Sequence, residues 1–267
     1  MTTIWSILLA ILIFGCIIAI HEFGHFIAAK QNGIQVNEFA IGMGSKIFCF
    51  QKGETLYSLR LFPIGGFCSM EGEDAESKNA RAFDQKPVWR RMIVVLAGAF
   101  MNLVLGFVLL IATTCSDPYL ISNTIHGFHE QATSNTCGLQ AGDTIVSLNG
   151  SHIFTITDLQ YKLSNESGEP FTVVVERDGK KVKLQDVTFR DQENNDWLDF
   201  SLEPQQKTVF HVLSYAAKDT VATGKLIWMS LTELVTGKYG IQDLSGPVGT
   251  VEVISNAATA GTTAAER

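Results

Sequence analysis

The sequence has 267 residues, of which 46% are hydrophobic and 18% are charged, and its formal net charge is −7. This charge argues against a nucleic-acid-binding protein, because such proteins need a basic surface to neutralise phosphates. Two stretches without a charged residue, 4–20 and 92–115, exclude a wholly soluble chain, since roughly 20 apolar residues cross a bilayer core of about 30 Å.

The first predicted element is a transmembrane helix within residues 1–30, which ends where Gln31-Asn32-Gly33 breaks the apolar pattern. A cleaved signal peptide is the alternative. However, the apolar run lacks a basic start and, at 17 residues, exceeds the usual apolar core of about 7–15 residues in a signal peptide. We therefore predict that this helix remains in the protein.

Near the end of this helix, residues 21–25 read HEFGH, an HExxH pattern. On a helix, His21 and His25 share one face and bind Zn²⁺, and Glu22 lies beside the metal-bound water as the catalytic base. The alternative is that these groups only mark the helix end. Residues 26–29 are apolar again, and ionisable groups inside a membrane helix are by default functional, so the pattern favours a metal site.

Residues 31–88 form a predicted loop with β-prone segments around several glycines, which indicates hairpins near the membrane. Nine Lys and Arg residues lie between the two apolar runs and none precedes the first, so the positive-inside rule predicts a cytoplasmic loop. A β-edge there can add a substrate as an extended strand, with Gly65 and Gly66 as candidates for the pairing. The alternative is that the hairpins only pack the helices together.

The second predicted transmembrane helix covers residues 89–115. Gly98, Asn102 and Gly106 are spaced by four residues and form a stripe of small residues with one amide near its middle. One interpretation is that Asn102 donates hydrogen bonds in the metal site and so supports it. The other is ordinary packing between membrane helices.

Residues 116–205 hold six basic and fourteen acidic residues, which predicts an acidic, mixed α and β domain on the extracytoplasmic side. Residues 206–267 begin with apolar residues at helical spacing, typical of amphipathic helices that lie on a membrane or on a partner. The five cysteines show no CxxC spacing, and whether Cys115 and Cys137 pair stays open.

Four stretches together resemble the site-2 protease family of intramembrane zinc metalloproteases, in particular its bacterial branch that regulates sigma factors. They are residues 21–25, 38–44, 62–73 and 96–102. Residues 138–150 also resemble a PDZ domain of this family, and residues 245–249 resemble a motif that the family places before its later membrane helices.

The resemblance implies a fold class: a polytopic α-helical membrane protein with membrane-associated β-hairpins and an inserted α+β PDZ-like domain. It implies a multi-pass protein of the bacterial inner membrane, with residues 31–88 in the cytoplasm and the PDZ-like domain outside. The implied activity is a zinc endopeptidase that cleaves in or near the transmembrane segment of substrate proteins, such as anti-sigma factors or remnant signal peptides. The implied partners are these substrates and the lipid bilayer, with no nucleic acid.

Three positions depart from the family pattern. Ala99 replaces a usual proline, and the segment before Gly138 lacks the usual start of the PDZ domain, which leaves its ligand groove open. The family's third zinc ligand is an aspartate in a later membrane helix, which Asp243 does not match. We therefore expect this ligand beyond Arg267 and a C-terminally truncated sequence.

Two other hypotheses compete with the protease. A membrane-anchored PDZ adaptor would carry the HExxH pattern as a vestige, and zinc content with substrate turnover would distinguish it. A soluble-type zinc protease tethered by one helix is disfavoured, because its HExxH pattern would lie outside the membrane. The sequence does not give the oligomeric state.

Overall fold

A computed structural model describes residues 2–130, 132–165, 170–189 and 198–237, with five further residues between 249 and 257. The chain divides into two compact units. The first comprises Met1–Gly106 with Ile241–Arg267, and the second comprises Phe107–Gly240. Asp243 and residues 245–248, to which the sequence analysis referred, lie outside the described residues.

Two long helices are apolar enough to cross a membrane. Helix α1 covers Thr2–Gln31 and helix α2 covers Val88–Ser116, and both pass the length and composition test for a span. Many of their large apolar side chains, such as Leu12 and Leu103, are more than half exposed. This exposure suits a hydrocarbon solvent, because an apolar surface of this extent is rare on a soluble monomer.

The first unit also contains two long strands, β1 at Val36–Lys52 and β2 at Thr55–Met70. Close to the turn they form a regular antiparallel hairpin, from the pair Lys52 and Thr55 to the pair Phe48 and Leu59, before the register shifts by one residue at the pair Lys46 and Arg60. Gly53 allows this tight turn through its positive φ of 63°.

Beyond the hairpin, both strands bend and pair a second time. Residues 38–41 lie opposite 66–69 on one side and opposite 56–59 on the other. The first part of β1 is therefore a central strand of the sheet. The last part of β2, residues 66–70, forms an outer strand segment of the same sheet. The bend depends on Gly42 and Gly65, which have φ values of 85° and 88°.

A small apolar core joins the end of α1, this sheet and α2. Its central side chains, Ile34, Val36 and Val94, are completely buried. Because this core spans three elements, it fixes the last turns of α1, which carry the HExxH pattern, against α2 and the sheet. The buried members are Ala28, Ala29, Ile34, Val36, Cys68, Met70 and Val94.

The second unit is an antiparallel sheet with two helices. The elements are β3 Leu120–Phe128, β4 Thr144–Leu148, β5 Ser151–His152, α3 Ile156–Asn165, β6 Phe171–Arg177, β7 Lys180–Val187, β8 Phe200–Gln205 and α4 Val209–Val235. The strand order is β7-β6-β4-β3-β8, and the short β5 pairs with β4. Two-residue turns at Asn149-Gly150 and Asp178-Gly179 have positive φ at both positions, which matches the twist of paired strands.

A buried ion pair stabilises the loop before β4. The side chain of Asp143 is fully buried and accepts two hydrogen bonds of 2.7 Å from Arg177. Arg177 also donates to the carbonyl oxygen of Gly138 at 2.9 Å. The loop of residues 138–143 is thus held by charge-assisted bonds, which are stronger than neutral ones.

The predicted fold class, a polytopic α-helical membrane protein with an inserted PDZ-like domain, is wrong for the described chain. The described residues contain four helices and eight strands, and only α1 and α2 are candidate spans. Helix α3 has ten residues, too few to span, and α4 carries four charged residues. The prediction inferred further membrane helices from the resemblance to a family, whereas much of the described chain forms antiparallel sheet.

Candidate metal centre

The centre of the site is formed by the HExxH residues of α1, which are all partly buried. Ligand atoms of His21, Glu22 and His25 lie within 4.8 Å of one another, and no other such group of His, Cys, Asp or Glu occurs in the described residues. The Nε2 atoms of the two histidines are 3.1 Å apart. Tetrahedral zinc with Zn–N bonds of about 2.0–2.1 Å requires about 3.3 Å between two ligand nitrogens, so this pair fits the ion.

The second ring nitrogen of His25 has a partner that selects the tautomer. Its Nδ1 lies 2.7 Å from the carbonyl oxygen of Val94 in α2. A carbonyl only accepts, so Nδ1 carries the proton and Nε2 keeps its lone pair for the metal. Histidines that bind a metal through one ring nitrogen usually donate a hydrogen bond from the other nitrogen, which fixes the tautomer and the ring orientation.

His21 is supported by Asn102 of α2, whose Nδ2 lies 3.2 Å from His21 Nδ1. For Nε2 of His21 to bind zinc, Nδ1 must carry the proton, and the partner atom must then be an acceptor. The Oδ1 atom of Asn102 is buried and has no hydrogen-bond partner in the described part of the chain. Rotation of this amide about χ2 exchanges its two atoms and gives both Oδ1 and the histidine a suitable partner.

Two glycines allow α1 and α2 to approach at the site. A Cβ atom on Gly98 would lie 2.5 Å from Nε2 of His25 and 2.6 Å from Nε2 of His21. A Cβ atom on Gly24 would lie 2.4 Å from the carbonyl oxygen of Ala97. All three distances are far below van der Waals contact, so the missing side chain of Gly98 leaves space next to the Nε2 atoms of both histidines.

The outer segment of β2, residues 66–70, lies beside the proposed base. The backbone N–H of Cys68 donates to Oε2 of Glu22 at 3.1 Å. A Cβ atom on Gly66 would lie 3.6 Å from Cγ of Glu22 and 2.8 Å from the carbonyl oxygen of Ala40. Gly65 comes one residue earlier in β2, and a Cβ atom there would be 3.1 Å from Cγ of Met43.

Cys68 is the cysteine that comes nearest to the site. Burial, and after it the charge of Glu22, raises the pKa of its thiol to about 12. The thiol therefore stays protonated at neutral pH, and only thiolates bind zinc or attack carbonyl groups readily. Cys68 acts on the site through its backbone N–H.

An ionic cluster in the same sheet was not predicted from the sequence. Glu38 accepts hydrogen bonds from Ser58 at 2.6 Å and from Arg60 at 2.8 Å, and its carboxylate lies 3.2 Å from the ammonium of Lys46. Burial raises the pKa of Glu38, but the bonds from Ser58 and Arg60 outweigh it and the net pKa is lowered. The only sequence signal was the position of Glu38 at the start of residues 38–44.

Comparisons with known proteins agree with this geometry. The pattern of peptidase family M50 matches residues 9–265. A putative zinc metalloprotease of Clostridium acetobutylicum is 35% identical over 260 residues, which are 96% of this chain and 76% of the relative. One of Fusobacterium nucleatum is 32% identical over 261 residues, or 93% and 75% of the two chains.

A third relative is the regulator of sigma-W protease RasP of Bacillus subtilis, which is 28% identical over 346 residues, covering 96% of this chain and 81% of the relative. The resemblance to site-2 proteases, the enzyme class and the zinc cofactor predicted from the sequence are confirmed by these matches. The chain therefore belongs to peptidase family M50 and is an intramembrane zinc metalloprotease.

Proposed function

We propose that this protease hydrolyses a peptide bond in or near the transmembrane segment of a membrane-protein substrate, with His21 and His25 as zinc ligands. The observation that carries the proposal is the 3.1 Å separation of the two Nε2 atoms in a helix that is long and apolar enough to span a membrane. A relative named as a regulator of sigma-W protease supports a substrate such as an anti-sigma factor; remnant signal peptides are the other class.

Zinc, when bound, supplies Lewis-acid chemistry that lowers the pKa of water and polarises a carbonyl group. Glu22 then takes the proton of the attacking water and passes it to the leaving amine. The bond from the N–H of Cys68 to Oε2 holds the carboxylate in place for both transfers. Asn102 and the carbonyl of Val94 keep the two imidazoles in the ligating tautomer.

The outer segment of β2 is the proposed binding edge for the substrate. A helix hides its carbonyls in internal hydrogen bonds, so an intact substrate helix must unwind before cleavage. Within the described residues, residues 66–70 pair with β1 on one side only. Strand addition on the other side would use backbone groups other than the N–H groups of Cys68 and Met70, which donate to Glu22 and Glu73. Gly65 and Gly66 have no side chain to obstruct such pairing next to Glu22.

The orientation in the membrane follows from charge. Nine Lys and Arg residues lie between the two apolar runs, which supports a cytoplasmic position for residues 31–88. With α1 and α2 each crossing once, the second unit would lie on the extracytoplasmic side of the bacterial inner membrane.

The substitution Glu22→Gln tests the mechanism, because the amide keeps the shape of the side chain and loses the base. We expect zinc content at the parent level and cleavage of a reporter transmembrane substrate in proteoliposomes lowered by about 10²–10⁴-fold, the range for general-base catalysis. Glu76→Gln, at an exposed position of the loop, is the matched control and should cleave normally. Equal cleavage by Glu22→Gln would refute the assigned role.

A further inference from the structure

Two backbone N–H groups in the outer segment of β2 are bonded to carboxylates. The N–H of Cys68 donates to Oε2 of Glu22 at 3.1 Å, and the N–H of Met70 donates to Oε2 of Glu73 at 3.2 Å. Alternate residues of a strand direct their N–H groups to the same side. The two bonded N–H groups therefore lie on one edge of the sheet.

This edge is the one that does not face β1. The backbone N–H of Glu71 donates to the carbonyl oxygen of Gln35 at 3.0 Å, and Gln35 comes directly before β1. Successive residues of an extended chain direct their N–H groups to opposite sides, so Met70 points its N–H away from β1. A substrate strand that is added to the free edge therefore meets both carboxylates.

The two carboxylates are held to different degrees. Glu22 is partly buried on α1 and is the proposed base, so it stays at the site. Glu73 as a whole is exposed, and its bond to Met70 spans only three residues. Burial raises the pKa of its carboxyl group, and the charges of His25 and Glu22 also act on this pKa. The carboxyl group of Glu73 thus lies within electrostatic range of the metal centre, on a side chain that can turn outwards.

Displacing Glu73 from Met70 costs little free energy. A carboxylate that turns into water regains hydrogen bonds there, so the net contribution of an exposed bond of this kind is small. A carbonyl oxygen of a substrate strand then accepts from the same N–H, and no backbone donor is left without a partner. The exchange is therefore close to balance. Without the carboxylate, the N–H of Met70 would be open to a substrate from the start.

We propose that Glu73 is a displaceable cap of the substrate-binding edge and weakens the binding of substrate. A substrate carbonyl replaces its carboxylate on the N–H of Met70, which adds this group to those that the proposed strand addition uses. The inference rests on the proposed function, because it needs a substrate strand at this edge. Glu73 is a positioning residue in this scheme, since it acts through Met70 and not on the reacting atoms.

The substitution Glu73→Ala tests the proposal by removing the cap. For a reporter transmembrane substrate in proteoliposomes, varied as a mole fraction of lipid, we expect KM to fall by about 2- to 10-fold, the range for one hydrogen bond, with kcat within about twofold of the parent. Loss of a merely structural bond would raise KM or lower kcat. Glu73→Gln keeps the shape and an acceptor oxygen, but its neutral bond is weaker, so KM should fall by a smaller factor.

Asp74→Ala is the matched control, because it removes the same charge at the next, exposed position. It should keep the KM of the parent. An equal fall of KM in this variant would assign the effect to charge alone and overturn the cap. Normal cleavage with KM unchanged or raised in both Glu73 variants would also overturn it, and would leave the proposed function intact. No cleavage of the reporter by the parent would refute the proposed function and the cap with it.

Discussion

The imidazoles of His21 and His25, the proposed zinc ligands, leave no room for any side chain at position 98. The methyl group of Gly98→Ala would lie within 2.7 Å of three ring atoms of His21 and His25. Overpacking of this kind costs typically about 1–3 kcal/mol, which corresponds to a loss of zinc affinity of about 5- to 150-fold. Competition with a chelator in detergent, monitored by zinc content and by cleavage, measures the change.

A second glycine on the same helix supplies the control. A Cβ atom on Gly106 would meet nothing within 4 Å, and alanine has the better helix propensity by about 0.8–1.0 kcal/mol. Gly106→Ala should therefore keep zinc and should be as stable as the parent or more stable. Unchanged zinc affinity in Gly98→Ala would mean that α2 does not approach the histidines as described.

The amide of Asn102 lies 3.2 Å from Nδ1 of His21, and the direction of the hydrogen bond between them can be tested. If the amide oxygen accepts the proton of Nδ1, Asn102→Asp keeps an acceptor, whereas Asn102→Leu removes it. We expect the Leu variant to lose about 10–100-fold in zinc affinity or activity, as is typical for partners of metal ligands, and the Asp variant to lose less. Equal losses in both variants would contradict an accepting role for this side chain.

At the level of elements, local patterns in the sequence were sufficient for the two apolar helices and for the HExxH pattern on α1. The long-range pairing in the sheet was not predictable, because residues 38–41 have partners on both sides and these are set by the bends at glycines. The hydrogen bonds of Val94 with His25 and of Cys68 with Glu22 could not be predicted either, because they are made by backbone groups and the identity of the side chain does not indicate them. The prediction of a polytopic helical protein was wrong because it was taken from the resemblance to a family and not from the residues of this chain.

The turn between β1 and β2 is joined to α1 and to the following loop by charge. Glu54 lies 2.7 Å from Lys30 at the end of α1 and accepts bonds of 2.5 and 2.7 Å from Arg81. The bonds from Arg81 and then Lys30 lower the pKa of Glu54 from 4.5 to about 2. These contacts connect the C-terminal end of α1 with the turn between β1 and β2 and with the loop before α2.

A carboxyl group whose pKa is lowered in the folded state stabilises that state at pH values above its unfolded-state pKa. This contribution is lost as the pH falls to the folded-state pKa. We therefore expect Glu54→Gln to reduce the free energy of unfolding at pH 7 by up to about 1 kcal/mol, because the pair is partly exposed and screened. The difference from the parent should shrink between pH 4.5 and pH 2. Thermal unfolding in detergent at low salt measures it, with Glu76→Gln as the control. A constant difference across this range would exclude the ion pairs as its cause.

For the whole molecule, the charge distribution and the two candidate membrane helices together predict on which side of the membrane each loop lies. Basic residues near the ends of short loops determine orientation regardless of nearby acids. Hence Lys30, Arg60 and Arg81 still favour a cytoplasmic position for their loop, although each is paired with a carboxylate. The loop between α1 and α2 should be cytoplasmic, and the second unit should lie outside.

Two lysines at exposed positions test this prediction with the same chemistry. Lys78 lies in the loop before α2 and Lys180 begins β7, and each can be changed to cysteine in a background without the exposed Cys16, Cys49 and Cys115. A membrane-impermeant maleimide should label Lys180→Cys on intact cells, and Lys78→Cys only after permeabilisation. Labelling of both on intact cells, or of neither, would place the two loops on one side. Helix α2 could then not cross the membrane once, and a zinc site within the bilayer would need a different arrangement of α2.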